Sequence, residues 1–182
     1  MVLLSLGLWL LVQSASGPSS KVREIAGARV PLAERIAADA DFQAEVAAKN
    51  ASGETPEQIQ RKDKEWLAGG RSELRRAVTQ GACADRLREM VKDDSFVVEA
   101  FLTDARGALV CATRETTDYY QGDEPKWTHT FQEGRRVFVD EPALDASAGT
   151  YAIQLSVLVS VNGAKAGALT LTLKVPDVAA AR

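Results

Sequence analysis

The chain has 182 residues, 46% hydrophobic and 26% charged, the proportions of one folded domain rather than of a disordered chain. Its formal net charge of -3 leaves no basic surplus for nucleic acid phosphates or for an anionic lipid surface, so neither is expected as a partner.

Residues 1–17 contain no Asp, Glu, Lys or Arg, and an apolar run from Val2 to Val12 leads into Ser14, Ala15, Ser16 and Gly17. That layout reads as a secretory signal peptide. The run is shorter than the ~20 residues a bilayer-spanning helix needs; a retained N-terminal anchor is the alternative. Export places the mature chain in the periplasm or outside the cell. There Cys83 and Cys111 meet an oxidising compartment, as a disulfide or as two small buried thiols.

Residues 18–95 read as the helical part of the domain. Over 21–50, Ile25, Leu32 and Ile36 share one helical face, with Pro31 marking a kink or a fresh start; such a segment also suits a helix-mediated homodimer. Thr55-Pro56-Glu57 opens a second helix, anchored by Ile59 and Trp66 and ended by Gly69-Gly70. Its charge run at 61–65 reads as a solvated face. A third helical stretch starts at Ser72, is interrupted at Gly81 and resumes with Leu87, Met90 and Val91.

From Phe96 the period changes to two. Phe96, Val98, Ala100 and Leu102 alternate with Val97, Glu99, Phe101 and Thr103, and Asp104-Ala105-Arg106-Gly107 turns the chain into a second strand over 108–113. A short strand is expected at 136–139. Tyr151, Ile153, Leu155, Val157 and Val159 then share a face opposite Ala152, Gln154 and Ser156, and Asn162-Gly163 marks a hairpin into the last strand. Residues 96–176 thus form an antiparallel sheet and the class is α+β, with helices packed on one face of the sheet.

The ordered pieces Val97 to Gly107, Leu109-Val110-Cys111-Ala112, Asp118-Tyr119-Tyr120-Gln121-Gly122-Asp123-Glu124-Pro125-Lys126-Trp127 and the Asn162-Gly163 hairpin resemble the Cache (PDC-type, PAS-like) extracellular sensor domains. The resemblance implies long N-terminal helices on a five-stranded antiparallel PAS-like sheet, with a small-molecule pocket under the loops between the second and third strands. It also implies that ligand occupancy is passed to a signalling partner, a membrane histidine kinase or a receptor. The sequence has no transmembrane helix after Val175 and no kinase or chemotaxis domain, so that partner is expected to be a separate protein.

The candidate ligand residues are Asp118, Tyr119, Tyr120 and Trp127 in the inter-strand connection, with Asp145 and Tyr151 nearby. Aromatic rings with polar tips enclose a ligand's apolar body and fix its orientation, and a carboxylate pairs with an ammonium. The same residues also suit a purely structural role, covering the sheet and capping a short helix. Tyr151 and Gln154 lie on opposite strand faces, so only one of them meets a given pocket, and Tyr151 is preferred. Arg114 and Lys126 are candidates for a ligand carboxylate.

Enzyme chemistry finds few parts. His129 is the single histidine, no Cys-x-x-Cys pair occurs, and no phosphate-cradling glycine run is present. No cofactor or metal is expected. The acids between 118 and 145 leave paired-carboxylate chemistry open, but a non-catalytic ligand sensor is the reading. An envelope interaction protein that kept the fold without a pocket is its alternative.

Overall fold

The computed structural model describes residues 20–145 and 150–175; the expected signal peptide at 1–17 lies outside them. Six helices come first: α1 Ser20–Gly27, α2 Val30–Ala37, α3 Ala40–Ala51, α4 Pro56–Leu67, α5 Glu73–Thr79 and α6 Ala82–Val91. Strands β1 Val97–Asp104 and β2 Leu109–Ala112 follow. A short helical turn α7 Pro125–Trp127 runs into a π-helical stretch Thr128–Gln132, and β3 Val137–Val139, β4 Ala143–Asp145, β5 Thr150–Val161 and β6 Ala164–Lys174 complete the chain.

The segment expected as helix with a kink or a fresh start at Pro31 is three helices, and the fresh start is the one observed. Pro31 sits in the first turn of α2, where its missing N–H costs no hydrogen bond. The second break falls at Asp39, whose carboxylate accepts from the backbone N–H groups of Asp41 and Phe42 and so starts α3. Thr55 and Gln58 form a reciprocal capping box at the start of α4.

The strands form one antiparallel sheet of six in the order β2-β1-β6-β5-β3, with β4 also paired to β5. That is one strand more than expected. Asn162 and Gly163 both adopt positive φ (51° and 79°), the two-residue turn that matches the twist of long paired strands.

Alternation assigns the two faces. Ala100 and Leu102 of β1, Ile153, Leu155 and Val157 of β5, and Leu169 and Leu171 of β6 are buried against Val22, Ile36, Phe42, Val46 and Leu87 of the helices. Helices also reach the opposite face. There Ile59 and Trp66 of α4 and Val78 of α5 pack on Phe101, Leu109, Ala112 and Tyr119, forming a second, smaller core beside β2. A Cys83–Cys111 disulfide ties α6 to β2. No helix among the described residues is long and apolar enough to cross a membrane.

Candidate functional site

Beyond the second core, the same sheet face carries polar residues. Register places Glu99 of β1 beside Thr172 of β6, and Thr172 beside Gln154 of β5, so the three form a row across neighbouring strands. The Thr172 hydroxyl donates to Glu99 Oε2 at 3.1 Å. One step along, Ser156 and Thr170 share a buried hydrogen bond at 2.8 Å.

This row is the floor of a cleft of about 310 Å³, with Phe101 and Ala152 as its apolar part. One wall is the connection after β2, which contributes Thr116, Thr117, Gln121, Glu124 and Lys126. The other is the stretch between β3 and β4. Three residues, 140–142, lie there opposite two of β5, 153–154, between the pairs Val139/Leu155 and Ala143/Ala152. One residue is thus extra on this side, and Asp140 and Glu141 of the stretch line the cleft. Leu144, 64% exposed, stands at the rim.

Two charged residues of the cleft are buried, Glu99 at 5% exposure and Lys126 at 6%. The Lys126 ammonium donates no hydrogen bond among the described residues; the Glu124 carboxylate stands 3.9 Å away and the Phe101 ring centre 5.7 Å away. Among the described residues, four carboxylates, Glu99, Glu124, Asp140 and Glu141, line the cleft against one ammonium.

The connection that carries Lys126 is fastened from several sides. Asp63 of α4, in the charge run expected to be only solvated, accepts from the backbone N–H groups of Tyr119 and Tyr120 at 2.9 Å each. Tyr119 is buried against Trp66, and its hydroxyl accepts from Lys49 at 2.8 Å. Burial, with the charges of Glu54 and Asp104, pushes its phenol far above the ordinary range. Burial also raises Glu54, but the Lys49 and Lys62 ammoniums that bond it bring its carboxyl below the usual value.

The turn after β1 abuts this connection. Asp104 is fully buried, and its Oδ1 accepts from Arg106 N at 2.8 Å and Ala108 N at 2.9 Å. Burial raises its carboxyl above the usual range, and these two N–H groups only partly offset the rise. Gly107, at φ 80°, lies so near the next layer that a Cβ on it would fall 2.3 Å from the Gly122 Cα. Gln121 N donates to Gly107 O at 2.7 Å.

Of the residues singled out in the sequence, Asp118 sits behind the cleft wall. Its carboxylate and backbone carbonyl both accept from the Gln121 side chain, which itself lines the cleft. Burial first, then the charge of Glu124, pushes the Asp118 carboxyl up. Trp127 is buried and stacks on Phe131 at 5.0 Å. Tyr120 borders a separate hollow of about 170 Å³ with Pro56, Ile59, Gln60 and Arg106. Tyr151 packs with the helix-side core, while Gln154, on the opposite strand face, lines the cleft. Asp145 pairs with Thr150 at the end of β4; its side chain lies outside the described residues. Sequence reasoning passed over Glu99 and Thr172, although their parity with Phe101 and Gln154 was visible.

No family model matches the sequence, and no curated protein matches it. Among solved structures, the extracellular domain of the putative histidine kinase vpHK1S-Z8 matches with a TM-score of 0.50 at 7% identity, over 85% of this chain and 52% of that one. The sensor domain of the V. cholerae histidine kinase DctB matches at TM-score 0.45 and 10% identity, over 86% and 53% of the two chains. The ligand-binding domain of the Pseudomonas aeruginosa amino acid chemoreceptor PctB, in complex with L-Arg, matches at 0.44 and 15%, over 85% and 52%. The chain spans about half the length of these structures. Its fold is that of the Cache (PDC-type) extracellular sensor domains.

Proposed function

We propose that this protein is a non-catalytic sensor domain of the cell exterior, and that the cleft between Glu99 and Lys126 holds a small molecule whose occupancy is passed to a membrane histidine kinase or receptor. The observation that carries this reading is the cleft itself. Its volume, about 310 Å³, is at the lower end of small-molecule sites, and it is floored by a polar row where a sheet otherwise packs apolar side chains. Lys126 is largely buried and lines the cleft, where its ammonium has no hydrogen-bond acceptor among the described residues, and a bound ligand supplies that acceptor.

In this reading Gln121, Gln154 and Thr172 give directional hydrogen bonds, and Phe101 takes the apolar part of the ligand. Asp118 holds the Gln121 amide. Tyr119, Tyr120 and Trp127 keep the wall in place, and Tyr151 works from the opposite face of the sheet. The Cys83–Cys111 bond supports a periplasmic or secreted location, because disulfides persist in oxidising compartments.

The test is a thermal-shift screen of the purified protein against amines, amino acids and organic acids, followed by titration. A ligand of the native state raises the midpoint in a concentration-dependent way. A flat response from every class, with unchanged tryptophan fluorescence, overturns the sensing reading and leaves an interaction module of the same fold.

A further inference from the structure

We propose that the ligand is a small organic cation that also carries an oxygen acceptor, rather than an anion or a neutral zwitterion. This rests on the cleft being the ligand site. The deepest charged groups are Glu99, 5% exposed and in the floor, and Lys126, 6% exposed and in the wall. Around them the rim adds Glu124, Asp140 and Glu141.

Lys126 is already faced by Glu124 at 3.9 Å, so its charge is partly countered before any ligand arrives. What it lacks among the described residues is a hydrogen-bond acceptor, which a carbonyl or hydroxyl oxygen provides without adding negative charge. Among the described residues that line the cleft, carboxylates are in surplus, and they set the sign of the remainder. An anion entering here meets several like charges within a space of molecular size, where screening by water is weaker than in bulk. An ammonium placed over Glu99 meets the opposite field. Phe101 adds a ring to the floor, and aromatic faces also favour cations. Asp118, just behind the wall with its carboxyl pushed up by burial and by Glu124, belongs to the same crowded negative region.

A shape-matched series tests the sign directly. Leucinamide is a cation with a carbonyl acceptor, leucine a zwitterion, 2-hydroxyisocaproate an anion, and isoamylamine a cation without the acceptor. Titration calorimetry at pH 6.5 is expected to rank leucinamide first, with leucine weaker by about tenfold or more and the hydroxy acid weaker still. Glu99→Gln keeps an acceptor for Thr172 but removes the charge, and is expected to lower leucinamide affinity by about tenfold. Lys126→Met is expected to erase the advantage of leucinamide over isoamylamine. Circular dichroism and the unliganded melting midpoint check that both variants fold. Tightest binding by leucine or by the hydroxy acid overturns the cation proposal while the cleft stands as a ligand site. Binding by none of the four, when the broader screen also finds nothing, removes both.

Discussion

The indole N–H of Trp127 donates to the backbone carbonyl of Asp104 at 3.2 Å, and the bond is buried. It joins the wall of the cleft to the turn that ends β1, beside the contact between Gly107 and Gly122. Lys126 precedes Trp127 in the same short helical turn, so the bond also sets where the ammonium points. Trp127→Phe keeps a ring to stack on Phe131 but removes one of the two hydrogen bonds to the Asp104 carbonyl, which Gly107 N still meets at 3.1 Å, and leaves some volume empty. The expected cost is about 2 kcal/mol in urea unfolding, from the lost hydrogen bond and the smaller ring. Ligand affinity should fall with it. An unchanged denaturation midpoint would show that the bond contributes nothing.

Gln154 and Tyr151 separate the two faces of β5. Gln154→Leu removes an amide from the cleft floor, and the ligand-induced rise in melting midpoint should shrink to less than half. Tyr151→Phe changes a side chain on the helix side and should leave that rise intact. The comparison is made by thermal shift with the tightest ligand of the screen. If Tyr151→Phe abolishes the response while Gln154→Leu does not, the ligand lies elsewhere.

The parts of the fold legible in the sequence are those where local chemistry and tertiary packing agree. β5 and β6 alternate over their length and meet at Asn162-Gly163, so face and turn are both readable. β4 has three residues behind Pro142, too short for any period to register. The break at Asp39 depends on a cap that looks like any exposed acid until its backbone partners are known. For the site, alternation puts Glu99, Gln154 and Thr172 at matching parity, but their adjacency comes from the order β1-β6-β5, which no local signal contains. Tyr119 and Trp127 are ambiguous for another reason. A ring with a polar tip has the same composition whether the tip meets a ligand or, as here, Lys49 or a backbone carbonyl.

The Cys83–Cys111 bond closes a loop with a sequence separation of 28 and joins α6 to β2. By loop entropy such a link stabilises by about 3–4 kcal/mol. Cys83→Ala, Cys111→Ala and the double variant should each lose about that much in urea unfolding, and the double should not exceed the larger single by more than about 1 kcal/mol. Reductant should destabilise the wild type and leave the double variant unchanged. Equal sensitivity of the two proteins to reductant would count against the bond in solution.

Asp104 gives the fold a pH signature of unusual direction. Burial holds its carboxyl above the ordinary range, ahead of the lowering effects of the Arg106 and Ala108 N–H groups and of the Lys49 and Arg106 charges. Its Oδ2 receives no hydrogen bond among the described residues, and the Arg106 guanidinium is 3.9 Å away. With its folded pKa above the unfolded one, Asp104 holds its proton more tightly in the native state. Its contribution to stability is therefore complete below the unfolded value of about 3.9 and declines as pH rises through the folded value. Asp39 and Glu54, whose carboxyls are lowered, give the opposite slope, so the wild-type curve alone does not isolate the effect. Asp104→Asn does, because the amide oxygen still accepts from Arg106 and Ala108 while nothing titrates. Unfolding free energies of the two proteins, measured between about pH 3.5 and 6.5 to span the carboxylate range, should diverge in favour of the variant as pH rises. Parallel curves would mean that Asp104 ionises in the folded protein as easily as in the unfolded chain.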